Sequence, residues 1–380
     1  MTAPLDGIVV ADLSRVLAGP LAAATLADLG ATVIKVERPG SGDDTRQWGP
    51  PWTATSSSYF ESANRSKQSI ELDLADPEDR RVAIELTSRA DVVIENFRAG
   101  ALGRHGLAYD QVAERNPSVV YASISGFGSA GGRDLLGYDF LVQAVGGLMS
   151  VTGQRGEPSK VGVALVDVLT AKDATIGILA ALRERETSGL GQHIEVNLLS
   201  SLLGSLVNQA SGFLATGRSP VAMGNQHPSI APYETLATAD GLVAVCCGND
   251  DQFRRLTEVL GLGDLAEDPR FATNPSRVEN RDVLVEALEG ALSTTPAREW
   301  IQELSQAGIP AGSVGSIADA FSLAETLGLQ PTVDVGADAP AQVRNPVTFS
   351  RTPINRYTAP PRLGEHNIDV RRWLTQGEAP

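Results

Sequence analysis

One carboxylate is a candidate nucleophile because it interrupts an apolar segment. Asp167 follows the largely apolar run at residues 161–166 and precedes Val168 and Leu169. A buried carboxylate loses its hydration, so an aspartate is rarely kept in such a setting unless it has a role. A carboxylate that is poor in water and reachable by substrate attacks an acyl group to give a reactive mixed anhydride. The sequence therefore makes Asp167 a candidate for acyl transfer.

A structural role for Asp167 stays open beside the catalytic one. A helical pattern covers residues 170–182 directly after it, and aspartate is a favoured N-capping residue. The two roles are compatible, because a helix N-terminus also favours the ionised form of a carboxylate.

Other catalytic and binding motifs are incomplete. The glycine-rich string at residues 126–131 matches the dinucleotide fingerprint by letter, but Gly132-Arg133-Asp134 follows it and no helix pattern does, so a bare loop is predicted. Neither a Gly-x-Ser-x-Gly elbow nor a P-loop is found. The histidines, which lack metal-ligand spacing, are His105, His193, His227 and His366. The sequence thus predicts no metal and no nucleotide cofactor.

Length and charge limit the protein class. A chain of 380 residues exceeds what one core usually supports, so two domains are expected. The formal net charge of -15 disfavours nucleic acid and anionic membrane as partners, so a polyanionic ligand needs a local basic pocket. The sequence shows no stretch of membrane-span length and no signal peptide pattern at residues 1–6, which predicts a cytoplasmic protein.

The first half of the chain alternates apolar strand patterns with helical patterns, as parallel α/β folds do. The predicted strands are residues 7–13, 31–37, 91–95 and 118–124, and the predicted helices between them are residues 20–29, 76–90 and 109–116. We predict a doubly wound, Rossmann-like parallel sheet. Such sheets bind ligands beyond the carboxyl ends of their strands.

The second half predicts long helices and a smaller α+β unit. Helical patterns cover residues 170–187 and 197–216, and the second is nearly all apolar, so it must be buried in a core or a subunit interface. A hairpin is predicted where Asp240-Gly241 separates two strand patterns, and Cys246 and Cys247 read as small core residues without a disulfide. Further helices are predicted at residues 251–260, 277–293, 296–307 and 316–327, before an irregular, proline-rich tail.

Several short strings occur in a fixed order along nearly the whole chain. They are Arg15–Pro20, Leu29–Glu37, Asn96–Gly100, Gly137–Asp139, Asp167 itself and Leu363–His366. Together these strings resemble the family III CoA-transferases, also called the CaiB/BaiF family. Each string alone is modest, but their ordered occurrence is highly specific.

The resemblance implies a fold and an assembly. A large CoA-binding domain would comprise residues 1–200 and, as a return from the C-terminus, residues 325–380. A small α+β domain would comprise residues 226–312, with linkers at residues 201–225 and 313–324. The family's assembly is an interlocked homodimer, which would supply a burial partner for the apolar helical pattern at residues 197–216.

The resemblance also implies exchange of CoA between carboxylic acids, with acyl-CoA and a free acid as substrates. Asp167 would attack the thioester to give an aspartyl-acyl anhydride and then an aspartyl-CoA thioester. One thioester replaces another, so no ATP is needed. An ionised aspartate at its ordinary pKa of about 3.9 would suffice without a partnering base.

The residues that match the family's CoA contacts follow the predicted strands. They are Val16, Ala18, Arg38, Asn96, Phe97, Arg98 and Arg104, with Lys67 as a weaker candidate. Arginines bind phosphate in a bidentate manner, although most arginines are merely solvated surface residues. Tyr138 would orient the acyl group, with packing in the core as the alternative.

Two departures from related branches bear on the reaction. The racemase branch carries a His-Asp pair where this chain has Tyr138-Asp139, and a tyrosine with a pKa of about 10 is a poor base for proton abstraction. The formyl/oxalate branch carries a glycine-run loop, whereas this chain has residues 224–233, which disfavours oxalate as acceptor. The alternatives are an α-methylacyl-CoA racemase or epimerase and a non-catalytic acyl-CoA binding protein.

Overall fold

The structure, a computed structural model, describes residues 3–336 and 339–376. The chain divides into two compact units. The first comprises Met1–Leu148, Val161–Arg218 and Gln330–Pro380, and the second comprises Met149–Lys160 and Ser219–Leu329. The first unit therefore draws on both ends of the chain. Residues 337–338 and 377–380 of the predicted C-terminal return lie outside the described residues, and the domain boundaries given above stay a prediction.

The strands and helices are numbered in chain order. The strands are β1 (Val9–Asp12), β2 (Thr32–Glu37), β3 (Lys67–Glu71), β4 (Val92–Glu95), β5 (Val120–Ser125), β6 (Gly153–Gln154), β7 (Glu157–Pro158), β8 (Gln192–Asn197), β9 (Tyr233–Ala237), β10 (Leu242–Cys246), β11 (Ala311–Ser313), β12 (Thr332–Val333) and β13 (Gln342–Val343). The α-helices are α1 (Ala18–Asp28), α2 (Ser58–Ser62), α3 (Pro77–Arg89), α4 (Tyr109–Arg115), α5 (Asp139–Val145), α6 (Leu165–Ser188), α7 (Leu198–Ser205), α8 (Val207–Thr216), α9 (Asp250–Val259), α10 (Asn274–Glu279), α11 (Arg281–Leu292), α12 (Ala297–Gln306), α13 (Ile317–Thr326) and α14 (Asn367–Gln376).

The first unit contains a six-stranded sheet in the order β3-β2-β1-β4-β5-β8, with every pair parallel. The chain builds outward from β1 to β3 and then returns to the other side of β1, so the strand order reverses between β1 and β4. This reversal is the switch point at which doubly wound sheets bind ligands. The predicted mixed α/β fold with a large parallel sheet is confirmed.

Four of the six strands match the sequence prediction, and two were missed. The missed strands β3 and β8 are the two edges of the sheet. Their sequences, KQSIE and QHIEVN, are rich in polar residues, whereas the strand patterns that were recognised are apolar. An edge strand with a partly solvated face gives a weak apolar signal.

Helices cover both faces of the sheet. On one face α1 and α6 pack on a core that includes Val10, Ile94 and Ile178. On the other face α3 packs with the C-terminal α14, whose Val370 and Leu374 are buried in the second core. The tail was predicted to be irregular, and this prediction was wrong for α14, in which Val370 and Leu374 recur at the helical spacing of four.

The apolar segment at residues 197–216 differs from its prediction. It forms two helices, α7 and α8, that meet at an angle of 82°. No residue of α8 is buried within the chain, and Val207 and Leu214 are 68% and 81% exposed. Within residues 3–336 and 339–376, no single helix is long and apolar enough to cross a membrane, and this bent pair reaches the required length only when its two helices are joined.

The second unit contains an antiparallel sheet in the order β11-β10-β9. The predicted hairpin is confirmed as the β9–β10 pair. Cys246 and Cys247 are both free thiols, as predicted, and Cys247 is buried in the core of this unit. The predicted helix at residues 277–293 is interrupted at Asn280, where α10 ends and α11 begins.

Candidate active site

Asp167 lies in the first turn of α6 and does not cap it. The helix begins at Leu165, and the N-cap position is Ala164, which offers no side-chain hydrogen bond. The cap comes from α5 instead: Asp139 Oδ1 accepts hydrogen bonds from the backbone N–H groups of Val166, at 2.8 Å, and Asp167, at 3.4 Å. The capping interpretation of Asp167 was therefore wrong, because a residue 28 positions earlier performs that role.

A buried glutamine fixes the position of Asp139. Gln143 donates from Nε2 to Asp139 Oδ2 at 2.7 Å, and its Oε1 accepts from the backbone N–H of Val161 at 2.9 Å. Gln143 thereby joins α5 to the segment that leads into α6. The backbone around Asp167 is held on both sides of the helix start.

The electrostatic setting of Asp167 differs from the sequence expectation. Burial and the nearby Asp139 carboxylate raise the pKa of Asp167 to about 7. The N-terminus of α6 favours the ionised form, but these two effects outweigh it. An aspartate at its ordinary pKa was expected to act without a base. Instead, the pKa of Asp167 lies near neutrality, so its surroundings set the balance between the protonated and ionised forms.

Tyr59 is a site residue that the sequence analysis missed. Burial together with the charges of Asp167, Asp139 and Asp43 raises the pKa of Tyr59 to about 12. The phenol therefore keeps its proton at neutral pH, and the negative charges of Asp167 and Asp139 both act on it. It belongs to α2, a five-residue helix in a polar stretch, and its ring meets that of Trp48 edge-on at 5.2 Å. No local pattern distinguishes such a residue.

A cavity of about 240 Å³ lies at the carboxyl edge of the sheet, and we refer to it as the nucleophile cavity after the predicted role of Asp167. Asp167 forms part of its wall. The predicted site residues that also line it are Val16, Ala18, Asn96, Phe97, Arg98 and Tyr138. They come from the segments that follow β1, β4 and β5, as the topology of a doubly wound sheet requires.

A second cavity of about 500 Å³, the basic cavity, is lined by the two remaining predicted arginines, Arg38 and Arg104. Arg15 and Phe97 line both cavities and so mark their common border. The Arg15 guanidinium lies over the Phe97 ring, 5.3 Å from its centroid. An elongated ligand that passes this border would reach from the basic cavity to Asp167.

Asn96 holds the two loops that meet at the switch point. Its Oδ1 accepts from the backbone N–H of Arg15 at 2.9 Å, and its Nδ2 donates to the Arg15 carbonyl at 2.7 Å. Both polar ends of the side chain are used in this way. Asn96 thus lines the cavity as a residue that fixes its shape.

The sequence pattern of CoA-transferase family III matches residues 5–367. The chain belongs to CoA-transferase family III. It is 42% identical to the succinate--glutarate CoA-transferase of Agrobacterium fabrum, over 97% of this chain and 94% of that protein. It is 40% identical to the acetyl-CoA:oxalate CoA-transferase of Acetobacter aceti, over 99% of this chain and 97% of that protein.

A solved structure agrees with this placement. The crystal structure of a CAIB/BAIF family protein from Brucella suis has a TM-score of 0.89 and 43% identity to this chain, and the match covers 98% of this chain and 100% of that one. The chain is therefore an enzyme whose substrates are CoA thioesters. Its placement among relatives named CoA-transferases favours transfer over the epimerase and non-catalytic alternatives.

In this family III enzyme, Lys67 is a structural residue. It is 3% exposed, and its Nζ donates to Asp12 Oδ2, to the Pro20 carbonyl and to Asn64 Oδ1 at 2.8–2.9 Å. An ammonium group has three donors, and all are engaged. The expectation that Lys67 contacts CoA is wrong, because the side chain has no donor left and lies in the core.

The predicted arginines of this CoA-transferase are exposed and retain free donors. Arg38 forms an ion pair with Asp44, Arg98 makes one long bond to the Asp134 carbonyl, and Arg104 donates from Nε to His105. Because a guanidinium has five N–H donors, each side chain keeps several for a ligand.

The glycine-rich string folds as the predicted loop, and it presents Tyr138. A Cβ on Gly137 would lie 2.4 Å from the Cα of Gly126, so two backbone segments meet where only glycine fits. The chain then enters α5 through Tyr138, which is 61% exposed on the wall of the nucleophile cavity. The core-packing alternative for Tyr138 is therefore excluded.

Replacement of Asp139 by asparagine tests how the site sets the nucleophile. The asparagine Oδ1 is expected to keep the cap on α6, while its Nδ2 loses the hydrogen bond that Gln143 donates to Asp139. The charge that helps raise the pKa of Asp167 to about 7 is removed. If Asp167 attacks as the predicted nucleophile, it must do so as the carboxylate, and wild-type kcat/KM is then expected to rise with pH through a midpoint near 7. In Asp139→Asn the rising part of the pH profile of kcat/KM should move to lower pH, as measured by transfer rates across a pH series.

Tyr59, whose pKa is raised in part by the Asp167 charge, and the arginines that line the nucleophile cavity are unchanged in that variant. Asp173→Asn, on the exposed surface of the same helix, is the matched control and should leave the midpoint unchanged. If the midpoint of the pH profile is the same in Asp139→Asn as in the wild type, Asp139 has no electrostatic effect on Asp167.

Proposed function

We propose that this enzyme moves CoA from an acyl-CoA to a free carboxylic acid through covalent intermediates on Asp167. The observation that supports the proposal most is the place of Asp167 in the first turn of α6, on the wall of a cavity formed at the switch point of the sheet. A carboxylate there faces a bound thioester while Asp139 caps the helix.

The steps balance without an external energy source. Asp167 attacks the thioester carbonyl, the C–S bond breaks, and an aspartyl-acyl anhydride and CoA thiolate form. The thiolate attacks the Asp167 carbonyl and releases the donor acid, which leaves an aspartyl-CoA thioester. The acceptor carboxylate attacks this thioester to form a second anhydride, and the thiolate then takes the new acyl group and frees Asp167.

CoA is proposed to span the two cavities. Its phosphates would bind the guanidinium groups of Arg38 and Arg104 in the basic cavity, since arginine suits bidentate phosphate recognition. The pantetheine arm would pass the border formed by Arg15 and Phe97 and bring its sulfur to Asp167. Tyr138 would orient the acyl group.

Dicarboxylic acids are the proposed substrate class. Both relatives described above are named for dicarboxylates, which are succinate, glutarate and oxalate. In this chain three arginines, Arg15, Arg98 and Arg133, line the nucleophile cavity. One carboxylate of the acceptor would react while an arginine holds the other.

The enzyme is also proposed to act as an interlocked homodimer. Apolar side chains on α5 and α8, including Phe140, Val145 and Leu214, are exposed in the isolated chain. Large apolar side chains that cluster on a protein surface often mark an interface. The cytoplasmic location stays a prediction from the sequence.

The proposal is tested by incubating the purified enzyme with succinyl-CoA and a panel of free acids. We expect ATP-independent formation of new acyl-CoA, fastest with dicarboxylates such as glutarate, when products are followed by liquid chromatography. A matched monocarboxylate such as valerate should react more slowly, because it lacks the second anion. Equal rates for the two acids would refute the substrate class, and no transfer to any acid would refute the reaction.

A further inference from the structure

The loop between β1 and α1 contains a strained residue. Val16 has a φ of 71°, which lies in the left-handed region. A β-branched residue there is an outlier, and such strain persists only where the surroundings enforce it. Val16 is followed by Leu17 and Ala18, which start α1 and line the nucleophile cavity. The turn at Val16 therefore sets where this part of the cavity wall lies.

Buried charged groups hold the backbone of this loop. Lys35 Nζ donates to the Ser14 carbonyl at 2.9 Å. The backbone N–H of Val16 donates to both oxygens of Asp43, at 3.2 and 3.3 Å. Lys35 and Asp43 are themselves paired at 2.9 Å. The Lys35–Asp43 ion pair thus holds the loop by hydrogen bonds on both sides of Arg15, at the Ser14 carbonyl and at the Val16 N–H.

The pair belongs to a cluster of two acids and two lysines without net charge. Asp12 binds Lys67 at 2.8 Å, lies 4.0 Å from Lys35, and accepts from the backbone N–H of Ser14. Burial opposes the ionisation of Asp43, but Lys35 and the Thr45 N–H outweigh it and lower the pKa of Asp43 to about 2. The pair therefore stays charged across the physiological range.

The loop has little room to relax. A Cβ on Gly19, in the first turn of α1, would lie 2.3 Å from the Ser14 side chain. The start of the helix therefore packs directly on the residue that Lys35 holds. Loss of the hydrogen bonds that hold Ser14 or Val16 is therefore expected to shift the start of α1 and with it the wall of the nucleophile cavity.

We propose that the Lys35–Asp43 ion pair is a positioning device for CoA transfer, which acts by holding Val16 in the left-handed conformation. Both side chains lie in the wall of the basic cavity but are almost fully buried, and Lys35 Nζ is engaged by Asp43 and the Ser14 carbonyl. We therefore assign their effect to the loop and not to contact with substrate. The inference rests on the proposed function, since it concerns the site that surrounds Asp167.

The test separates positioning from stability. Removing one partner would leave a buried charge, whereas replacing a buried pair by neutral residues of similar size is often nearly neutral for stability. The double variant Lys35→Met/Asp43→Asn is therefore expected to keep its Tm. Its kcat/KM should fall on the order of tenfold to a hundredfold, because small misplacements in a site have effects of that size.

Glycine at position 16 provides the decisive readout, because glycine adopts a positive φ without being held. Adding Val16→Gly to the double variant should restore most of the lost kcat/KM. The triple variant is compared with Val16→Gly alone, and the two should have similar kcat/KM. The matched control is Arg185→Met/Asp91→Asn, which removes another ion pair of the same unit, at the amino-terminal edge of the sheet. In that background Val16→Gly should restore nothing.

Two outcomes would overturn the inference. One is a double variant with wild-type kcat and KM. The other is a double variant whose loss in kcat/KM multiplies with the loss caused by Val16→Gly when the substitutions are combined. If the double variant does not fold, Thr45→Val keeps all four charges but removes a 2.8 Å hydrogen bond to Asp43, and it should show a smaller loss that Val16→Gly again reverses. If the wild type transfers nothing, the proposed function fails, whereas calorimetric CoA affinity of the same variants still tests the loop.

Discussion

Asp167→Ala is expected to lower the rate of CoA transfer by at least about 10⁴-fold, because the proposed covalent intermediates form on this side chain. Asp44 also lines the cavity, but its carboxylate is paired with Arg15 and Arg38. Removal of a nucleophile from an enzyme typically has effects of this size or larger. Asp167→Asn should lose as much, since an amide has almost the same shape and far lower nucleophilicity. The measurement is steady-state transfer at saturating CoA thioester, with CoA affinity followed by calorimetry.

A selective loss distinguishes this expectation from unfolding. Both variants should bind CoA with wild-type affinity, because Asp167 is assigned to the reaction and not to binding of the CoA nucleotide. Asp173→Asn is the matched control on the same helix and should transfer at the wild-type rate. Near wild-type turnover in either Asp167 variant would refute the nucleophile assignment.

The second large effect is expected in the basic cavity. Arg38→Ala/Arg104→Ala should raise the KM for acyl-CoA roughly a hundredfold or more, because each lost charge-assisted hydrogen bond to phosphate is worth about 1.5–3 kcal/mol. The kcat should change little, since neither guanidinium lines the nucleophile cavity. Initial rates over a wide range of acyl-CoA concentration separate the two parameters.

Salt dependence and a surface control sharpen that result. The wild-type KM should rise with ionic strength more steeply than that of the double variant, because two cationic contacts are gone. Arg183→Ala removes an exposed arginine on α6 that pairs with Glu186, and it should leave KM unaltered. A fall in kcat at unchanged KM would contradict the assignment of the basic cavity to CoA phosphates.

Much of the fold and part of the site were accessible from the sequence. Strands buried on both faces, such as β1 and β4, are apolar runs, and helices between them dictate a parallel sheet. The family resemblance pointed to Arg38, Asn96 and Arg98, and these residues line cavities at the carboxyl ends of the strands, where a doubly wound sheet binds ligands. The fold prediction succeeded because it depends on local pattern and topology.

The failures depend on contacts between distant residues. Nothing in the string Asn64–Lys67 shows that Asp12, Pro20 and Asn64 together occupy the three donors of the lysine. Likewise, the cap from Asp139 and the raised pKa of Asp167 arise only when α5 and α6 are packed together. Tyr59 enters the site by tertiary folding alone.

The covalent intermediate is the central claim, and mass spectrometry of the intact enzyme tests it most directly. After rapid mixing with acyl-CoA and an acid quench, the protein should carry an acyl or CoA adduct, and proteolysis should locate it on the peptide that contains Asp167. The same treatment of Asp167→Asn should give no adduct. Wild-type turnover with no adduct at any time, or an adduct on another peptide, would contradict the account.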